Sequence, residues 1–224
     1  MSVYAGPFIT TDSLQLSFDP VNLKTYPGNG TTAYDLTRNG YNGTMANVTH
    51  TGNSFIFTST ANSLINYGAI LPFTTSDFSI GVFFRTSILT NYNSLFDKLS
   101  SGGTYRLLYY ADGRLIVDAR AANSDAGSVN TVVSTLTHNT WYYAVSTFNY
   151  SSNTFSLFVN GDRKVIGTIT IPVANGGQSI YTGYAQNNGV YGSFTMGPLH
   201  VYSKTLSNVE IQQNFNAYRS RYAI

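Results

Sequence analysis

The residues of this chain with chemistry to offer fall in two clusters. The stretch YDLTRNGYNGTM, Tyr34 to Met45, sets Asp35 ahead of two Asn-Gly steps. Calcium takes about 6–8 oxygen ligands from carboxylates, amides and backbone carbonyls. Asp35, Asn39 and Asn42, with Asp19 upstream, make a candidate set of that kind. The same residues also read, more simply, as two successive tight turns: Asn and Gly tolerate positive φ, and Asp35 can accept from nearby amides. The spacing fits no EF-hand loop, and the stretch itself holds a single carboxylate. Calcium is the one ion with candidate ligands here, and no other cofactor is expected.

The second cluster is YTGYAQNNGVYGSF, where Tyr181, Tyr184 and Tyr191 surround Asn187 and Asn188. Tyr92 and Asn93 of TNYNSLFDK are expected at the same rim. Sugars present apolar C–H faces and hydroxyl edges, so rings beside amides are a candidate glycan surface. Subunit contacts use the same residue types, and the chain has 18 tyrosines to place.

Other chemistries lack their residues. There is no cysteine, hence no disulfide or thiolate metal site. No Gly-x-Ser-x-Gly elbow, His-Glu-x-x-His helix or Walker loop occurs. His50, His138 and His200 are far apart, and His200, in an apolar strand, reads as a hydrogen-bonded structural residue. Only 10% of residues are charged and the formal net charge is +2. Those charges are scattered, which leaves no footprint for nucleic acid or an anionic membrane. No apolar run reaches the roughly 18 residues of a membrane-spanning helix, and no signal peptide is evident. The sequons at Asn29, Asn42, Asn47 and Asn149 are what chance yields in an Asn/Thr-rich chain.

The elements that must position these clusters are strands. In TFSLFVNGDRKVIGTIT, Phe155, Leu157 and Val159 share a face and Asn160-Gly161 is a hairpin turn. WYYAVSTFN alternates Trp141, Tyr143 and Val145 against Tyr142, Ala144 and Ser146. YYADGRLIVDAR turns at Asp112-Gly113. DFSIGVFFRT aligns Phe78, Ile80, Val82 and Phe84, and SFIFTST aligns Phe55 and Phe57. Further strands are expected at Leu14–Phe18, Val129–Leu136, Ile180–Tyr184 and Phe194–Tyr202. Many short strands with regular turns mean an all-β sandwich or jelly roll, read as one domain over 1–224 with an N-terminal arm at 1–13. A clamp helix is expected at 207–222, opened by a Ser207/Glu210 capping box. Ile211, Phe215, Tyr218 and Tyr222 form its apolar stripe.

Four ordered pieces, DFSIGVFFRTS, SLFDKLSSGGTYRLLYYADGRLIVDA, NTWYYAVSTFNYSSNTFSLFVNGDRKV and LHVYSKTLSNVEIQQNF, resemble the laminin-G-like branch of the concanavalin A-like lectin/glucanase superfamily. That resemblance implies a jelly-roll β-sandwich of two antiparallel sheets with a short C-terminal helix. The ends, YAGPFITTDSLQLSFDPVNLKTYPGNGTTAYDLTRNGYNGTM and QNFNAYRSRYAI, resemble laminin-G-like proteins of large tailed, especially marine, bacteriophages. This implies a virion structural or decoration protein on a capsid, tail or neck. Its partners would be other virion proteins or further copies of itself, with host-surface glycans as the alternative.

Because the superfamily includes glucanases, hydrolysis must be weighed. It needs two carboxyl groups flanking the scissile bond, set by the hydrolases of this fold in a Glu-x-Asp-x-Glu pattern on one strand. Here the one glutamate is Glu210, already placed in a helix cap, and no two aspartates alternate on a strand. The resemblance also implies acidic residues in the strand before the clamp; MGPLHVY has none, which weakens the carry-over of an ion or ligand site to that strand. A non-enzymatic protein is expected.

Overall fold

The computed structural model describes residues 8–73, 75–86, 92–99, 104–121, 124–132, 134–169 and 177–224. Among them, two eight-stranded antiparallel sheets form a sandwich. The back sheet runs Asp162–Thr168, Thr154–Val159, Trp141–Asn149, Phe78–Thr86, Phe194–Tyr202, Phe55–Phe57 and Thr49–His50, with Leu14–Phe18 also paired to Phe194–Tyr202. The front sheet runs Ser124–Asn130, Leu115–Ala121, Thr104–Tyr109, Asn93–Asp97, Ile180–Thr182, Leu64–Gly68, Gly43–Ala46 and Thr32–Ala33.

Period-2 alternation explains which side chains meet. Phe78, Ile80, Val82 and Phe84 point inward onto Leu95, Tyr105, Leu107 and Tyr109 of the front sheet. Alternate positions of the back sheet, Phe83, Tyr143, Val145 and Tyr202, point the other way into a second apolar cluster. That cluster is closed by the helix Asn208–Tyr218 and the 3-10 turn Arg219–Tyr222 through Ile211, Phe215 and Tyr222. The back sheet is therefore apolar on both faces, each fully buried large side chain contributing about 1.5–3 kcal/mol.

The helix begins as expected. Ser207 Oγ accepts from the Glu210 amide at 3.3 Å, while Glu210 Oε2 accepts from the Ser207 amide at 2.9 Å. The N-terminal segment reaches the same helix: the Thr10 amide donates to Asn214 Oδ1 at 2.8 Å and Gln213 Nε2 to the Phe8 carbonyl at 2.7 Å.

Two strand expectations need correction. The strand expected at Val129–Leu136 is Ser124–Asn130. Beyond it the chain leaves the ladder to bracket the Asp112-Gly113 turn: the Ser134 amide donates to the Asp112 carbonyl at 2.8 Å and the Leu136 amide to that of Gly113 at 2.9 Å. The β-branched run there satisfies a loop, and Val132 is exposed. The strand expected at Ile180–Tyr184 stops at Thr182. Gly183 has φ +88°, and a Cβ there would lie 2.5 Å from the Phe57 ring and 2.6 Å from the Ser63 carbonyl. This bend takes the chain out of the front sheet into a separate hairpin, Tyr184–Ala185 with Val190–Tyr191.

Candidate functional site

Cross-strand register lines up one row of side chains over the whole front sheet. Thr32 pairs with Thr44, Thr44 with Asn66, Asn66 with Tyr181 and Tyr181 with Asp97. Asp97 then pairs with Arg106, Arg106 with Asp118 and Asp118 with Ser128. Directly opposed residues share a face. Tyr105 and Leu107, on either side of Arg106, point into the core, so this row lies on the outer face and makes it polar.

The hairpin after Gly183 folds over this row. Asn188, at its tip, accepts from Arg106 Nη1 at 2.5 Å. Arg106 Nε and Nη2 both donate to Asp118 Oδ2, at 2.9 and 2.6 Å. The Arg106 side chain is only 4% exposed and that of Asp118 17%. Removing one partner of such a buried pair costs about 3–5 kcal/mol. On the other side of Arg106, Asp97 is fully buried. Its Oδ1 accepts from the Leu99 amide at 2.9 Å and the Gln186 backbone amide also favours its charged form, while Oδ2 has no close hydrogen-bond partner among the described residues. Burial pushes the Asp97 carboxyl up to about 7, against the opposing pull of Arg106.

Two aromatic groups flank the row. Tyr92 and Tyr110 meet edge to face at 4.8 Å between ring centroids, with the Arg106 guanidinium 5.7 Å over Tyr92 and that of Arg114 5.5 Å over Tyr110. These rings form a ridge between two hollows. One, of about 260 Å³, is lined by Tyr92, Arg106, Tyr110, Asp118, Ser128 and Asn188 among others. The other, of about 380 Å³, lies against Tyr92, Tyr110, Asp112 and Arg114. Tyr92 holds φ +61°, an uncommon conformation for a bulky residue and of the kind that clusters at binding sites. Burial pushes the Tyr110 phenol up to about 12. On the hairpin side, Tyr184 stands 5.5 Å from Tyr181 and 4.7 Å from Tyr191.

The structure thus brings Tyr92, Tyr181, Tyr184, Tyr191 and Asn188 to one face, with half-buried Asn187 beside Asn188 at the hairpin tip. Asn93 departs from expectation: it is fully buried, and its Oδ1 accepts from the Ser193 amide at 2.9 Å, bracing the hairpin's return. Arg106, Asp118, Asp97 and Tyr110 were not singled out by motif, because they form a site only through strand register.

The Tyr34–Met45 stretch makes a turn-like set of bonds. Asp35 Oδ1 accepts from the Ser17 and Thr37 amides, each at 3.0 Å. Its Oδ2 accepts from Thr37 Oγ1 at 2.5 Å and from the Tyr41 amide at 3.2 Å. Asn42 Oδ1 accepts from the Asp35 amide at 3.0 Å, and Asn39 Nδ2 donates to the Gln15 carbonyl at 2.8 Å. Asp19 is drawn elsewhere, its Oδ1 2.7 Å from Arg221 Nη1. A cation at this loop would have to displace the four donors on Asp35. Among the described residues no group of three or more His, Asp or Glu is placed to hold a metal.

His200 is fully buried beneath the helix. Its Nε2 lies 3.5 Å from the Tyr218 hydroxyl, and its Nδ1 has no partner among the described residues. Burial, with Arg221 nearby, pushes it down to about 3.

Residues 57–212 match the family model Laminin_G_3, of the concanavalin A-like lectin/glucanases superfamily, and the chain belongs to that family. Among solved structures, the binding domain of Paraclostridial Mosquitocidal Protein 1 superposes with a TM-score of 0.70 at 17% identity, over 92% of this chain and 52% of that one. The botulinum neurotoxin serotype D ligand binding domain, solved in complex with N-acetylneuraminic acid, gives 0.66 at 17% identity over 91% and 50%. The botulinum neurotoxin DC binding domain, in complex with rat synaptotagmin II, gives 0.65 at 16% identity over 91% and 51%. At such identities the likeness is one of fold, and the chain spans about half the length of these structures. No curated protein matches the sequence.

Proposed function

We propose that this chain is a non-enzymatic, lectin-like recognition domain that holds a glycan on the outer face of its front sheet. The observation that carries the reading is the Tyr92–Tyr110 ridge beside Arg106, Asp118 and Asn188, which joins apolar ring faces to hydrogen-bonding groups at two adjoining hollows. That combination suits a ligand with one C–H face and several hydroxyls. Family membership supports it, as does the sialic acid bound by one structural neighbour.

Hydrolysis does not suit this face. Its row carries two carboxylates, but the Arg106 guanidinium stands between them and Asp97 is fully buried. Hydrolysis needs both carboxyls at the scissile bond. A glycan array probed with the whole chain tests the reading. Retention should fall on Tyr92→Ala or Tyr110→Ala while the melting temperature changes little; unaltered retention in both contradicts the reading.

A second reading concerns where the domain works: on the virion of a tailed phage, as a capsid, tail or neck component contacting other virion proteins. It is supported by the resemblance of both ends to phage proteins, ends that here meet through the Thr10–Asn214 and Phe8–Gln213 bonds. Gold-labelled antibody on phage particles should decorate the capsid or tail; intact, unlabelled particles contradict it.

A further inference from the structure

Resting on the glycan reading, we infer that the ligand of the Tyr92–Arg106–Asp118 hollow is an uncharged pyranoside, and that this face discriminates against sialylated and uronate-bearing glycans. Among the described residues lining that hollow, Arg106 is the one cation. A guanidinium recognises a carboxylate through a two-donor fork. Here the Nε/Nη2 edge of the fork is spent on Asp118 Oδ2, and Nη1 is tied to Asn188 Oδ1. At 4% exposure the side chain is sealed beneath its partners.

Charge points the same way. Arg106 stands between Asp97 and Asp118 in the cross-strand row, so one guanidinium answers two carboxyl groups. Across the ridge, Arg114 is matched by Asp112 at 2.7 Å. Among the described residues, neither hollow holds a surplus of positive charge, and the first carries the Asp118 carboxylate in its lining.

What remains open to a ligand is of another kind. Asp118 Oδ1 accepts no hydrogen bond from a described residue, and Asn188 at the hairpin tip is exposed. The Tyr92 and Tyr110 rings line both hollows. A free carboxylate oxygen accepts from sugar hydroxyls, and ring faces pack on the sugar's C–H side. The hollows, about 260 and 380 Å³, suit a short run of sugar rings.

The test is binding of the full chain to matched oligosaccharides, neutral or capped with sialic or uronic acid, at low and high salt. Neutral glycans should be retained, with acid-capped counterparts about tenfold weaker or more at low salt. The gap should narrow as salt screens the repulsion. Asp118→Asn should close the gap further. Because that change strips Arg106 of its partner, its melting is followed in parallel. Tyr92→Ala, which leaves the ion pair in place, should lose neutral-glycan binding by about tenfold. Equal or tighter binding of the acid-capped series overturns this inference alone, whereas unaltered binding by Tyr92→Ala removes the ridge from the glycan reading as well. Retention of no glycan of either kind overturns the glycan reading itself, and this inference with it.

Discussion

The outer faces of the two sheets are built to opposite ends. On the back sheet, Phe83, Tyr143, Val145 and Tyr202 are sealed beneath Ile211, Phe215 and Tyr222, with the Trp141 and Tyr222 rings 4.1 Å apart at the edge. On the front sheet the corresponding surface carries Tyr181, Asp97, Arg106 and Asp118, and the 184–191 hairpin covers it only in part. The same period-2 alternation runs through both sheets. The difference lies in what fills the outward positions: a helix needs an apolar floor, and a polar floor stays open to a ligand. On the proposed reading, stability and recognition fall on opposite sides of one sandwich.

Changes to the two faces should separate accordingly. The largest effect is expected at the clamp: Phe83→Ala, at a fully buried position, should cost about 3–5 kcal/mol in urea unfolding. Glycan retention by the folded fraction should stay the same. A near-neutral result would mean that the helix is not a structural clamp.

Next comes a pH effect in which the two faces oppose one another. Asp97 is raised from 3.8 to about 7 by burial, so the native state holds that proton more tightly than the unfolded chain. Its contribution is full below about 4 and is lost as pH rises toward about 7. His200 is lowered from 6.5 to about 3, and its contribution is lost as pH falls through that window. Asp97→Asn should therefore gain stability relative to the parent as pH rises from about 4 to about 7. A constant difference across that range would show that Asp97 titrates normally.

Ser207→Ala, which removes the reciprocal cap with Glu210, should cost about 0.5–2 kcal/mol and leave glycan binding alone. Binding that falls with it would couple the faces this account keeps apart. The smallest expected effect is that of calcium. With four donors already on Asp35, millimolar calcium should leave the melting temperature where it is. A rise would establish a cation site by mass action.

Legibility in sequence follows the range of the interaction. The Asn160-Gly161 turn, with φ values of +53° and +86°, and the Ser207 cap are local, and their residues announce them. The Arg106–Asp118 pair was within reach too: counting back equally from the Asp112-Gly113 turn opposes Tyr109 to Leu115 and Arg106 to Asp118. Asp97 and Asn188 were not. Their places depend on Ile180–Thr182 pairing beside Asn93–Asp97 and on the bend at Gly183, which no local pattern encodes. The Val129–Leu136 run misled for the same reason. β-branched residues favour strands, but Thr131 Oγ1 accepts from the Leu115 amide at 2.9 Å and the chain then leaves the ladder.

The most direct measurement is a crystal structure of the full chain with a neutral oligosaccharide that it retains. The account predicts a sugar ring against Tyr92 or Tyr110 with a hydroxyl on Asp118. A sugar seated on the helix-covered face, or at the Tyr34–Met45 loop with the ridge bare, would contradict it.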